Sequence, residues 1–372
     1  MYRKATFCLY IITLLLAIWG IIILFSASAN FAYEKLGDSF YFVKRQTLWL
    51  FFGLIAQVFV IKAGYHKIAK HSNLLFISGI ILLILVLIPI FSAEIGGARR
   101  WLRLGPLGLQ PSEFMKLIII IFISKFLADK SNVLPLSMKT FAFICVISVI
   151  VIALILAEKD LGTTIILGII ISSLLFISGI SKRFLSCLFL ISIPFIYLAI
   201  LLQPFRFKRI TAFLDPWGDP QGSSYQIIQS LVAISSGGWF GKGLGKGIQK
   251  YYYLPEAHTD FIFSIHAEET GFLGSSILIC LFIILLIISM KITARAVDRL
   301  GYLLGMGLTL LIGVQFVINL GVVSSILPTK GTPLPFISFG GSSLVVNMIA
   351  VGMLISIEKY SRLRASLHEN FC

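Results

Sequence analysis

Residues 6–25, TFCLYIITLLLAIWGIIILF, run for twenty positions without a charge, which is the length of helix needed to cross the hydrocarbon core of a bilayer. Arg3 and Lys4 precede the run and Ala27-Ser28-Ala29 follows it, an arrangement that imitates a secretory signal with its cleavage site. The run exceeds the roughly 7 to 15 residues of a signal core, so it reads as a retained helix. Comparable runs recur at 47–61, 73–91, 112–128, 140–157, 161–180, 184–203, 269–290, 300–327 and 343–357. Ten apolar spans cannot be wrapped around one soluble core. They predict an all-α, polytopic integral membrane protein forming a single domain over 1–372.

Composition agrees. Of 372 residues, 58% are hydrophobic and 13% charged, and the mean hydropathy is +0.97, outside the range of soluble domains. The five cysteines stand singly, without C-x-x-C or histidine spacing, so neither a disulfide framework nor a zinc site is implied.

Lys and Arg set the expected orientation. With the N-terminus inside, sixteen fall in the inner segments and eight in the short outer loops, which places both termini in the cytoplasm. The outer face is nevertheless basic: Arg99, Arg100 and Arg103 share one short loop, and Arg206, Lys208, Arg209, Lys242, Lys246 and Lys250 lie in the long one. Anionic membrane lipid accounts for the inner cluster of the +15 net charge but not for the outer one, which calls for an anionic ligand. Nucleic acid is excluded as a partner, because the basic groups are scattered at span ends and form no stripe on a soluble module.

The long connection, 204–260, is expected outside the cytoplasm. Its YQIIQSLVAI stretch, 225–234, places Tyr225, Ile228, Leu231 and Val232 on one helical face, as for a segment lying on the membrane surface. GGWFGKGLGKG, 237–247, lacks the lysine spacing and the preceding strand of a nucleotide-binding loop, and reads as a flexible linker or as a contact for a pyrophosphate lipid. The 328–342 segment, rich in proline and glycine between apolar residues, is expected to be re-entrant and to line a cavity, with Lys330 adding a positive group.

Ionisable residues concentrate in LPEAHTDFIFSIHAEETG, 254–271, where six crowd together in an otherwise apolar chain. A carboxylate at the bilayer centre costs about 2.5 to 3.5 kcal/mol, so Asp260, at the edge of an apolar run, is a functional candidate or else marks a helix end. Pro111-Ser112-Glu113 reads as a helix start, with Lys116 placed to pair with Glu113 at i, i+3, or to snorkel toward headgroups.

Taken in order, GARRWLRLG with QPSEFMKL, DPWGDPQGSSYQIIQSLVAI, LPEAHTDFIF with EE-x-G, and PTKGTPLPFISFGGSS resemble the signature set of the SEDS family (FtsW, RodA, SpoVE) over nearly the whole chain. Within it, 100–105, 255–258 and 328–331 resemble the division-type members more than the elongation-type ones. Two features depart from the family pattern: Lys159 stands where the family has a proline before Asp-Leu-Gly-Thr, and Thr270, in place of the apolar residue of EE-x-G, together with His266 is expected to alter the polarity around Asp260.

The resemblance implies a peptidoglycan glycosyltransferase of the inner membrane at the division site, polymerising lipid II on the outer face and releasing undecaprenyl pyrophosphate. Its expected partners are lipid II, a class B penicillin-binding protein and other division proteins. Asp260 is then the general base for the acceptor 4-hydroxyl, positioned by Glu256 and His258. Arg99, Arg100, Lys116 (with Glu113) and Lys330 are candidates to contact the pyrophosphate. No cofactor is dictated, although a divalent cation could share the phosphate charge. A lipid II flippase, an elongation-type polymerase and a scaffold for a transpeptidase are the alternatives.

Overall fold

The computed structural model describes residues 2–95, 97–104, 107–130, 138–181, 183, 184, 186, 190, 194, 204–251 and 253–369. The expected span at 184–203 lies essentially outside them. The other nine spans each fall on a helix: α1 Tyr2–Leu36, α2 Tyr41–Ala63, α4 Ser72–Leu87, α5 Pro111–Asp129, α6 Met138–Ala157, α7 Leu161–Ile177, α10 Ile262–Ala294, α11 Arg299–Val323 and α12 Gly341–Glu369. The described residues also include three short helices, α3 Tyr65–Lys70, α8 Pro204–Leu214 and α9 Tyr225–Ser236. Six of the described helices are long and apolar enough to cross a membrane, and α4 and α7 are shorter apolar helices.

α12 is the central post, buried along nearly its whole length. It runs parallel to α2, since Gly53 packs on Met348 and Gln57 on Gly352, while the backbone N-H of Tyr65 donates to Ser356 Oγ at 3.0 Å. α1 runs the opposite way. Thr6 donates to Glu358 at one end, and Gly20 meets the backbone of Phe336 and Ile337 further along.

The chain closes on one face through Thr6–Glu358, the Tyr65–Asp298 hydrogen bond and Arg299, whose Nη2 donates to Ser178 O at 2.9 Å. Both ends of the described chain lie there. The other face carries the described residues of the loops within 92–110 and 237–260, together with 158–160 and 328–340.

On that second face the loop after α4 is a small antiparallel sheet, β1 Ser92–Ile95, β2 Ala98–Leu104 and β3 Leu107–Leu109, in the order β1-β2-β3. Ser92 pairs with Leu102 and Leu102 with Leu109. The register shifts between Ala93, which pairs with Trp101, and Glu94, which pairs with Arg99, leaving Arg100 as the extra residue of β2 at an irregularity that interrupts the strand's alternation.

α9 packs into the body through Ile227, Ile228, Ser230 and Ala233, while Val232, on the face expected to meet the membrane surface, is exposed. Ser230 decides this: its hydroxyl donates to Val323 O at 2.6 Å and lies 2.7 Å from Ser264 Oγ, fixing the helix on α10 and α11.

The glycine run after α9 is not a free linker. α10 breaks at Gly271 (φ 68°, ψ −165°), and the run wraps the break. Lys242 N donates to Glu268 O and Gly243 N to Glu269 O, both at 3.0 Å, and Phe272 N donates to Gly238 O at 2.8 Å. The strands of backbone are so close that a β-carbon on Gly271 would stand 2.3 Å from Gly241 N. The side chains of Glu268 and Glu269 are fully enclosed and hold Lys242 and Lys250 at 2.7 Å each, with Ser26 of α1 also donating to Glu269.

Candidate active site

Asp260 sits in the turn that leads into α10, with its backbone oxygen accepting from Asn319 Nδ2 at 2.8 Å. The same amide donates to Thr332 O at 2.8 Å. One α11 side chain therefore ties the loop bearing Asp260 to the loop bearing Lys330. A β-carbon on Gly331 would stand 3.1 Å from Asp260 Oδ2, so that glycine keeps the carboxylate's approach open.

Burial pushes the Asp260 carboxyl up to about 7; Glu256 and Asp160 add to the rise, and Arg209 and Arg100 oppose it. Lys330 lies over Gly162 beside Asp160, with its Cε 3.1 Å from where a Gly162 β-carbon would be. Burial lowers its ammonium to about 8, the Asp160 charge resisting and Lys116 assisting.

The remaining expected residues divide into two groups. Arg100 reaches the α6–α7 junction, donating through Nη2 to Lys159 O at 2.6 Å and through Nε to Glu158 O at 3.3 Å. Lys116 and Glu113 pair at 2.7 Å, both buried, as the i, i+3 spacing predicts. Glu256 is exposed at positive φ (56°) and accepts from Thr259 Oγ1 at 2.7 Å. His258 is packed among Phe31, Phe42 and Phe339, with ring centroids at 5.4, 4.6 and 6.3 Å, and burial lowers its pKa against the pull of Glu256. Arg99 is held in an exposed ion pair with Glu94, its partner across β1 and β2, at 3.3 Å.

Four contributors were not among the expected site residues, Arg209 having been named only within the outer basic set. Asp160 caps α7, accepting from Thr163 N at 3.0 Å and Thr163 Oγ1 at 2.9 Å, and faces Lys330. Glu158 is 1% exposed, and neither of its oxygens has a well-formed hydrogen bond, Ser112 being the hydroxyl beside it. Arg209 of α8 donates to Thr329 O at 3.5 Å and faces Asp260. Asn319 is the fourth. The available signal was the EKD triplet between two apolar runs, three charges where a span junction needs none.

Lys159 itself takes φ 61° and its Nζ donates to Gly97 O at 2.8 Å. A proline, held near φ −65°, could not adopt this turn, so the departure from the family pattern is matched by a different backbone here. Among the described residues no three His, Cys, Asp or Glu side chains are grouped to hold a metal ion.

Fold and site together define an all-α membrane protein that gathers a half-buried carboxylate and several cations on one face, an arrangement suited to acid–base chemistry on an anionic, lipid-borne substrate. The chain belongs to the FtsW, RodA and SpoVE family of cell cycle proteins, which matches residues 6–363. It is 42% identical over 355 residues to Stage V sporulation protein E of Bacillus subtilis, covering 95% of this chain and 97% of the relative. It is 41% identical over 357 residues to the probable peptidoglycan glycosyltransferase FtsW of Nitrosomonas europaea, covering 94% and 92%. Among solved structures, a chain of a peptidoglycan synthase complex that coordinates polymerization and crosslinking superposes with a TM-score of 0.78 at 27% identity, covering 95% and 97%. The rod shape determining protein RodA of Thermus thermophilus gives 0.70 at 25%, covering 94% and 95%.

Proposed function

We propose that this chain is a peptidoglycan glycosyltransferase that polymerises lipid II on the outer face of the membrane during division, with a crosslinking transpeptidase of the class B penicillin-binding type as partner. The observation that carries the reading is Asp260, a carboxylate that burial pushes up to about 7 at the meeting point of two loops, facing Arg209 and Arg100. A general base works best with a pKa close to the working pH.

In this mechanism Asp260 takes the proton of the acceptor sugar 4-hydroxyl as that oxygen attacks the donor anomeric carbon with inversion. The bond from that carbon to the pyrophosphate oxygen breaks, and undecaprenyl pyrophosphate leaves with both electrons. Arg100, Arg209 and Lys330 supply the positive field that receives the charge, whereas Lys116 is neutralised by its buried pairing with Glu113. A divalent cation brought with the substrate would share the pyrophosphate charge, since among the described residues no His, Cys, Asp or Glu cluster is grouped to hold one. The apolar flanks of the helices accommodate polyprenyl chains.

Asp260→Asn tests this directly, because it keeps the shape and removes the proton acceptor. Glycan formation from lipid II by the purified variant with its partner should fall about 100- to 10,000-fold, with lipid II binding retained. Polymer formation at the wild-type rate would remove Asp260 from the mechanism. Loss of binding together with turnover would point to a positioning role.

A further inference from the structure

The face that carries both chain ends has a groove the glycosyl-transfer chemistry does not use. It encloses about 350 Å³ between the ends of α1, α2 and α12, a volume within the range of small-ligand sites. Phe7, Tyr10, Ile61 and Ile355 form its apolar wall, with Phe7 64% exposed.

The polar lining is unequal. Glu358 is 3% exposed and accepts a hydrogen bond from Thr6, so its carboxylate is turned into the α1–α12 contact. Lys359 is exposed and Arg362 partly exposed, and their i, i+3 spacing sets both cations along one side of the opening. A guanidinium beside an ammonium matches a phosphate diester: the first offers a planar fork of donors, the second a point charge. An apolar wall continuous with that rim matches a hydrocarbon chain attached to it.

We propose that this groove binds one anionic glycerophospholipid, an acyl chain lying along Phe7, Tyr10, Ile61 and Ile355 and the phosphate held by Lys359 and Arg362. The bound lipid would brace the start of α1 against α12, the post around which the other helices pack. The site is on the face opposite Asp260 and does not depend on the proposed reaction.

Native mass spectrometry of the delipidated full-length protein decides it, using phosphatidylglycerol and phosphatidylethanolamine with identical acyl chains. With about 1 kcal/mol per basic residue, wild type should retain phosphatidylglycerol on the order of 10-fold more strongly. Lys359→Gln/Arg362→Gln should lose that preference, whereas Lys67→Gln/Lys70→Gln, which removes two exposed charges of the same face outside the groove, should keep it. A second readout uses Phe7→Trp in an otherwise unchanged chain. Its extra fluorescence over wild type should be quenched by brominated-chain phosphatidylglycerol at a lower mole fraction than by brominated phosphatidylethanolamine. Equal retention of the two lipids by wild type, equal loss in both double variants, or equal quenching by both brominated lipids would overturn the proposal.

Discussion

At the residue scale the site is a set of charges that shift one another. Asp260 is raised to about 7 by burial first and by Glu256 second, so a base-limited reaction should rise with pH through that value as the carboxylate ionises. Glu256→Gln removes a negative neighbour and should move this limb to lower pH while leaving the plateau rate largely intact. An unmoved limb would mean that another group sets it. Glu158 offers a second, independent test. Burial first, then Asp160, push it up to about 9, against an unfolded value near 4.5. The folded state therefore binds a proton the unfolded state has lost between those two values, and the Glu158 contribution to stability falls as pH rises across that window. Glu158→Gln should be neutral to stability at pH 4.5 and stabilising at pH 7, by about 3 kcal/mol at the upper limit. Thermal unfolding in detergent at both values measures it, and equal midpoints for wild type and variant at pH 7 would show Glu158 to be ionised in the fold.

At the element scale, helices were legible and their connections were not. Uninterrupted apolar runs specify bilayer-spanning helices because lipid offers the backbone no other hydrogen-bond partner. Nine runs accordingly fall on helices, although α1 continues eleven residues beyond its apolar run, to Leu36, and α10 starts at Ile262 rather than 269. Asp260 was legible for the same reason, as a charge where hydrocarbon was expected. Asp160, Glu158 and Asn319 were not, since span-junction charges and a lone buried amide look alike in sequence whether they hold a turn or face a substrate. The glycine run was misread because its partner, the Glu268–Glu269 pair, is twenty residues away and apolar periodicity says nothing about it. That pairing predicts an asymmetric cost. Lys250→Met leaves Glu269 enclosed without its cation and should destabilise the fold by about 3 to 5 kcal/mol, whereas Lys250→Met/Glu269→Gln should recover most of it. Equal midpoints for wild type and the single variant would detach the loop's stability from this ion pair.

At the scale of the whole molecule, two faces are opposed. Thr6, Tyr65, Ser178, Asp298 and Glu358 knit one of them, and the small sheet, Lys159, Asp260 and Lys330 occupy the other. The bias of Lys and Arg predicts how the two faces are oriented: the first holds the larger basic share and is expected on the cytoplasmic side. The orientation matters to the chemistry, because polymerising lipid II into the wall requires the acceptor, the base and the departing pyrophosphate to be on the outer side. Lys246 and Lys67 are exposed on opposite faces and report on it. In a background with the five native cysteines changed to serine, Lys246→Cys should react with a membrane-impermeant maleimide in intact cells. Lys67→Cys should react only after the membrane is opened. The inverse pattern would put Asp260 in the cytoplasm, where the growing wall is absent, and polymerisation at this site would have to be abandoned even if Asp260→Asn were inactive.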